Sequence, residues 1–332
     1  MTLPARWLGR TGVRVSPLAL GCMSFGGDAD EATSAALYGR ARDAGVTFFD
    51  TADVYNGGRS EEILGRLSAA HRDEIVVATK AYFPTGPDGN ARGTSRYHLV
   101  RACEASLRRL GRERVDVFYL HRWDDHTDLD ETLRAMDDLV RAGKVLYPAC
   151  SNFAAWQVAR ALGAAALARL APLVAVQPMY NLLKRQAEVE LLPMAQALGL
   201  AVVPYSPTAG GLLTGKWGAA KRPASGRMTS NAMYQTRYAD PAYLAAADGL
   251  TAIAAELGVA PAALAVAWVA GHPGVTSVLL GARSVAQLDE LLTAPAIAMT
   301  PELRARIAAL TPEPPPATDR NEERTAANFG SR

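Results

Sequence analysis

Cysteine is scarce in this chain, with Cys22, Cys103 and Cys150 far apart and no others. Three scattered thiols make neither a disulfide framework nor a zinc pattern, and they suit a reducing compartment. An excess of one charge is missing too. Lysine and arginine number 35 against 33 acids, a formal charge of +2, which excludes the basic surplus of a dedicated nucleic-acid binder. No apolar run approaches the ~18 residues of a membrane span. The opening MTLPARWLGRTG lacks the apolar stretch of a signal peptide. These absences predict a cytoplasmic protein with no nucleic-acid and no membrane partner.

What is present is ample core material, 49% apolar and 20% charged over 332 residues, a balance unlike that of a disordered chain. The length allows two ordinary domains or one large α/β barrel. No feature of the sequence sets an oligomeric state.

The first sixteen residues predict a hairpin, with Trp7–Leu8 and Val13–Val15 flanking a Gly-Arg-Thr-Gly turn. Eight β-rich runs follow, at 18–20, 47–50, 74–80, 115–121, 145–151, 174–177, 201–205 and 276–280. Helical patterns at 31–44, from Ser60, 98–110, 130–142, 154–168, 188–198 and 284–294 lie between them. Strands separated by helices must pair in parallel through crossovers of one hand. A doubly wound sheet also satisfies the alternation, but the strand count and the length predict a (β/α)8 TIM barrel. A long irregular loop, 208–240, follows the seventh strand, and connections of that length are commonly functional. We read 1–310 as one domain and the proline- and charge-rich 311–332 as a mobile or surface-draped tail.

In such a barrel chemistry sits at the C-terminal ends of the strands. Here those ends carry Asp50, Lys80, His121, Ser151-Asn152, Gln177 and Tyr205-Ser206, with Gly281 after the last. Barrel closure would bring them to one rim. The spacing alone is equally compatible with an interior Asp50–Lys80 salt bridge and a loop aromatic at Tyr55.

The runs FFDTADVYNGGRSEEILG, VVATK, VDVFYLHRWD, SNF, VQPMYNLL, PYSPTAGGLLTGK and GARSVAQL resemble the aldo-keto reductase superfamily, in order and from about Trp7 to about Ala294. They are more similar to the long bacterial and channel-β-subunit-like branch than to the short aldose-reductase branch. The resemblance implies a catalytic tetrad of Asp50, Tyr55, Lys80 and His121. Carbonyl reduction needs a hydride that no side chain supplies, hence a nicotinamide cofactor, and a proton for the developing alkoxide. Tyr55 is the implied general acid, protonated at neutral pH and reluctant to ionise. Lys80 would stabilise its anion, Asp50 would hold Lys80 charged, and His121 would donate to the carbonyl oxygen.

The glycine fingerprint of Rossmann binding is absent after the first strand, where Gly21-Cys22-Met23-Ser24-Phe25-Gly26-Gly27 does not match it. A near-Walker run at Gly210 to Lys216 ends in Trp217 instead of Ser or Thr, so nucleotide hydrolysis is rejected. By resemblance the cofactor contacts are Met23, Asp50, Ser151, Asn152, Gln177, Tyr205, Ser206, Pro207, Gly211, Lys216, Arg227, Gly281, Arg283, Gln287 and Glu290. Ser151, Asn152 and Gln177 would hold the carboxamide, the Tyr205 ring would stack on the nicotinamide, and 206–216 would wrap the pyrophosphate. Lys216, Arg227 and Arg283 tilt the choice to NADPH. Asn152 also reads as an N-cap for the helix that follows it. Leu291, where the family usually has Asn, removes one adenine contact, and Thr208 and Pro148-Ala149-Cys150 depart from the family pattern without touching the tetrad.

The substrate contacts expected are Tyr55, His121 and Trp123, with Phe25, Tyr82, Phe83 and Tyr234 as weaker candidates for the same wall. His71, His98, His126 and His272 lack metal-ligand spacing, and HRWDDHTDLD reads as a solvated loop in which Asp130 caps the next helix, so no metal is expected. The reading is therefore an NADPH-dependent reductase of a small aldehyde or ketone. Two alternatives stand beside it: a reductase of a keto-sugar nucleotide, and an NADPH-holding regulatory subunit like the channel β subunits, which depart from the family at the position of His121.

Overall fold

The computed structural model describes residues 3–327 apart from Ser225, with the backbone alone at Arg324. Strands β1 (Arg6–Trp7) and β2 (Arg14–Val15) form the antiparallel hairpin. The strands β3 (Leu18–Gly21), β4 (Phe48–Asp50), β5 (Val76–Ala81), β6 (Val115–Leu120), β7 (Val145–Ser151), β8 (Ala175–Gln177), β9 (Ala201–Val202) and β10 (Val278–Leu280) form one parallel sheet. Its order is β10-β3-β4-β5-β6-β7-β8-β9. Backbone hydrogen bonds from Thr276 to Val202 (2.8 Å) and from Leu279 to Pro204 (3.0 Å) join its two edges. The sheet thus curls into a (β/α)8 barrel, as the alternation of strands and helices predicted.

Alternation along each strand sorts side chains into two sets. Leu20, Phe49, Val77, Phe118, Cys150 and Val176 face outward and pack under the helices, within the larger hydrophobic cluster. Ala19, Phe48, Ala78, Val117, Tyr119, Ala149, Ala175, Ala201 and Val203 fill the barrel interior, where they join Leu8 and Val15 of the hairpin. The hairpin therefore closes the N-terminal end. Gly9 turns there with φ 58°, and a Cβ at this position would stand 2.9 Å from the carbonyl oxygens of Val174 and Gly199. No larger residue fits.

Two residues beyond this apolar layer the same inward-facing positions become polar: Phe48 leads to Asp50, Ala78 to Lys80, Tyr119 to His121. Ala149 leads likewise to Ser151, Ala175 to Gln177 and Val203 to Tyr205. One periodicity thus builds both the plug of the barrel and its reactive rim.

The helices start where short polar side chains take up free backbone N–H groups. Asp30, Ser95, Ser284 and Thr300 accept from Thr33, His98, Gln287 and Leu303. Two expected caps are corrected. The helix Leu129–Arg141 is capped by Asp128, which accepts from the N–H of Asp130, so Asp130 lies inside the first turn. The helix Ala155–Ala168 starts after Ala154, and Asn152 has another task, described below. The helices Ala242–Glu256, Pro261–Ala270 and Pro301–Ala308 were not expected. Among the described residues no single helix is long and apolar enough to cross a membrane.

The stretch 208–240 contains a 3-10 segment, Ala209–Thr214, and two short helices, Arg227–Ser230 and Ala232–Arg237. After the last helix the Thr311 hydroxyl donates to the Leu182 carbonyl (3.0 Å), and the chain then runs over the surface. Residues 328–332 of the expected tail lie outside the described residues. Cys22, Cys103 and Cys150 are free and buried, and burial pushes all three thiol pKa values up, to about 12 for Cys103.

Candidate active site

The C-terminal rim opens into a cleft of ≈ 650 Å³ whose lining includes Asp50, Tyr55, His121, Ser151, Asn152, Gln177 and Tyr205. Lys80 stands behind this wall, fully buried on β5. Its ammonium donates to the Asp50 carboxylate, to the Thr51 carbonyl (2.8 Å) and to the Tyr55 hydroxyl (3.4 Å). Gln177 donates to the other Asp50 oxygen (2.8 Å). The four residues of the expected tetrad are therefore brought together: Asp50, Lys80 and Tyr55 by hydrogen bonds, and His121 by an edge-on ring contact to Tyr55 at 5.9 Å between centroids.

Tyr55 comes from the β4 loop, and that loop is fixed from below. Ser60 bonds the Thr51 hydroxyl (2.7 Å) and the Cys22 carbonyl (2.7 Å), and Asn56 donates to the Met23 and Phe25 carbonyls. Beneath it Glu61, fully buried, accepts from Thr79 (2.5 Å) and Arg109 (2.6 Å). Asp53 is buried beside this pair with no side-chain partner. Burial and the Glu61 charge push its carboxyl up to about 7.

Electrostatics assign roles to these groups. Burial raises the pKa of Tyr55 and the Lys80 charge opposes it, so the phenol keeps its proton at neutral pH. Burial acts most strongly, to neutralise Lys80, but the electrostatic pull of Asp50 and Tyr55 and the hydrogen bonds to both together outweigh it and hold the ammonium above its ordinary value. Burial, then the charge of Lys80, drives His121 well below the usual imidazole range. His121 is neutral, and a neutral imidazole donates through one nitrogen only. A proton donor, a fixed positive charge behind it and a neutral hydrogen-bond donor beside it together form a site for protonating an oxygen.

Asn152 has φ 57°, in the left-handed region. Its amide donates to the His121 carbonyl (2.9 Å) and to Ser151 (3.0 Å), and its oxygen accepts from the Tyr205 hydroxyl (2.7 Å). It ties three strand ends together, which corrects the expectation of an N-cap.

A second pocket of ≈ 150 Å³ continues the cleft and shares Thr208, Gly210, Arg227, Gly281 and Ala282 with it. Gly211, Lys216, Arg283, Gln287 and Glu290 line this second part, as does Leu291. Gln287 is already engaged, accepting from the backbone N–H of Arg283 (3.0 Å). Gly210 and Gly211 have φ 67° and 105°, and a Cβ on Gly210 would lie 2.6 Å from the Tyr234 ring. Met23, Ser206 and Pro207 also line the larger cleft.

Trp123 is not among the lining residues. Its ring packs on Phe153 (5.3 Å) and Trp156 (5.7 Å), and its indole N–H donates to Asp125 (2.8 Å). Among the weaker candidates Phe83 and Tyr234 line the cleft, Phe25 is fully buried, and Tyr82 packs on Phe83. Sequence reasoning missed Arg122, Met233 and Arg237, which also line it. Arg122 had a signal, since it directly follows His121. Met233 and Arg237 lie on a helix within the stretch read as irregular.

The family model described as "Aldo/keto reductase family" matches residues 17–311. An uncharacterized oxidoreductase of Bacillus subtilis is 39% identical over 93% of the chain and 96% of its own length. A probable voltage-gated potassium channel subunit beta of rice is 38% identical over 94% and 98%. A versiconal hemiacetal acetate reductase of Aspergillus parasiticus is 29% identical over 89% and 93%.

Proposed function

Because this chain belongs to the aldo/keto reductase family of oxidoreductases, which generally use NAD(P)H, we propose that it is an NADPH-dependent reductase of an aldehyde or ketone. The observation that carries this reading is the Lys80 ammonium, placed between the Asp50 carboxylate and the Tyr55 hydroxyl beneath an open cleft.

The residues present suit a nicotinamide dinucleotide. The cleft is continuous from the tetrad to the pocket holding Lys216, Arg227 and Arg283, where Glu290 is the one acid among the lining residues. Between them, glycine backbone at Gly210 and Gly211 leaves room for a pyrophosphate, and no Cβ crowds the space at Gly211. Ser151, Asn152 and Gln177 would hold the carboxamide at the catalytic end, and the Tyr205 ring would support the nicotinamide. When bound, the nicotinamide supplies the hydride that no side chain can.

The chain's own groups then do the rest. His121, neutral, orients the carbonyl oxygen. Tyr55 gives its phenolic proton to that oxygen as negative charge develops there. Lys80 lowers the cost of the resulting phenolate, and Asp50 keeps Lys80 charged. Preference for NADPH follows from Lys216, Arg227 and Arg283, whose charges suit a 2′-phosphate. The same reading places the protein in the cytoplasm, where thiols stay reduced.

The likeness to the rice potassium channel subunit beta favours a second reading, a cofactor-holding channel subunit. His121 at hydrogen-bonding reach of the cleft favours the enzyme. Tyr55→Phe tests it: turnover should fall about 10²–10⁴-fold, the usual contribution of a general acid, while NADPH binding by fluorescence is retained. Full activity in that variant would sink the proposal.

A further inference from the structure

The catalytic end of the cleft carries more positive charge than the dinucleotide reading uses. Lys216 and Arg283 line only the second pocket, and Arg227 lines both, so these three serve phosphates. Arg122 and Arg237 remain, and they line only the larger part, with the tetrad. Asp50 is the one acid among the described residues lining that part, and Lys80 and Gln177 already engage its two oxygens.

Neither arginine has a hydrogen bond or an ion pair from its side chain among the described residues. Several guanidinium groups do find carboxylates, as in Arg40–Asp289, Arg109–Glu61, Arg185–Glu188 and Arg306–Glu256, while others such as Arg134 and Arg160 do not among the described residues; what sets Arg122 and Arg237 apart is that they line the cleft. An unpaired guanidinium facing a cleft is a recognition element for anions, because its planar fork matches carboxylate and phosphate oxygens.

Their place relative to the reacting oxygen can be fixed through shared neighbours. Arg237 lies over the Tyr234 ring at 5.1 Å. Tyr234 is close enough to Tyr55 to act on its ionisation, and the Arg237 charge reaches the Tyr205 hydroxyl. Arg122 follows His121 directly in the chain, and both line the cleft with Arg237. Both cations thus line the same cleft as the proton donor and the carbonyl-orienting group.

We propose that this chain selects carbonyl substrates bearing an anionic group, a carboxylate or a phosphate, which Arg122 and Arg237 bind while the carbonyl oxygen meets Tyr55 and His121. The proposal rests on the reductase reading above. It turns the broad class of aldehydes and ketones into a charged subset, and it makes Arg237 a specificity-determining residue.

The test compares matched pairs with NADPH: 4-carboxybenzaldehyde against its methyl ester, and glyceraldehyde 3-phosphate against glyceraldehyde. The charged member of at least one pair should show about tenfold higher kcat/KM, from a single charge-assisted contact. The pair that shows it tells carboxylate from phosphate. In Arg237→Met and Arg122→Met the charged-to-neutral ratio should collapse, mainly through KM, and in the parent it should shrink as salt is raised. A ratio cancels any loss that both substrates share. Calorimetric titration with benzoate and with benzamide reads the same preference without turnover, and benzoate should bind more tightly. Equal or better turnover of both neutral members, or ratios unchanged in both variants, overturns the proposal and leaves the reductase reading standing. Failure to turn over all four substrates overturns the reductase reading as well.

Discussion

Removing either member of the Asp50–Lys80 pair should destabilise the barrel, and the two losses should depend on pH with opposite signs. Lys80 is fully buried and Asp50 nearly so. In Asp50→Asn the ammonium loses its counter-charge and is left with neutral acceptors only, the Thr51 carbonyl, the Tyr55 hydroxyl and at best an amide oxygen at position 50. It escapes by shedding its proton, which from an ordinary value near 10.5 costs about 5 kcal/mol at pH 7. In Lys80→Met the carboxyl escapes by taking a proton up, which from 3.8 costs about 4 kcal/mol. Both figures are ceilings for that contribution, and they agree with the ~3–5 kcal/mol found when one partner of a buried pair is removed.

The signs follow from proton counts. In Asp50→Asn the unfolded chain binds the proton that the folded chain has shed, so stability relative to the parent rises with pH toward 10.5. In Lys80→Met the folded chain holds a proton that the unfolded chain loses above 3.8, so relative stability falls with pH. Each slope approaches about 1.4 kcal/mol per pH unit. Urea midpoints of parent, single and double variants between pH 5 and 9 measure this. The double variant carries no buried charge and should lose less than the two single losses together. Parallel pH dependences, or strictly additive losses, would refute the account of Lys80 as a charge held by Asp50.

Three further outcomes are expected. Asp53 is buried without a side-chain partner and titrates near 7, so its ionisation opposes folding. Asp53→Asn should therefore gain on the parent by a few kcal/mol as pH rises from 4 to 7, and a flat difference in urea midpoints counts against this. Gly210→Ala forces a left-handed residue against the Tyr234 ring, and the KM for NADPH should rise severalfold; an unchanged KM means the loop does not hold the cofactor. Arg283→Ala should weaken NADPH binding more than NADH binding by about tenfold, measured by fluorescence titration, and equal losses would show that Arg283 does not read the 2′-phosphate.

The rim was legible in the sequence because one rule builds it: a strand buried on both faces that ends in a polar residue. Asp50, Lys80, His121 and Gln177 each close such a run. The parts that escaped obey rules of longer range. Asp128 and Asp130 are equally good caps by composition, and the path of the chain chooses between them. Asn152 looks like a cap in one dimension, yet its left-handed backbone turns it toward the His121 carbonyl and the Tyr205 hydroxyl. Trp123 sits two residues after His121, but Phe153 and Trp156 draw its ring away. The helix Pro261–Ala270 is apolar all round, so it has no amphipathic stripe to announce it. Arg237 became visible only once the short helix Ala232–Arg237 had a position over the cleft.

The hairpin that stoppers the barrel also sets an order of events during synthesis. Arg6 donates to the carbonyls of Ala270 (3.3 Å) and Val275 (2.9 Å), and Leu18 to Leu20 pair with Val278 to Leu280. These contacts join residues more than two hundred and fifty positions apart. Such pairings pay the full cost of closing the chain before they return anything. A ribosome releases the hairpin before the strands it docks against, so its docking site is incomplete until residues 270–280 have emerged. The hairpin must wait for the barrel that seats it.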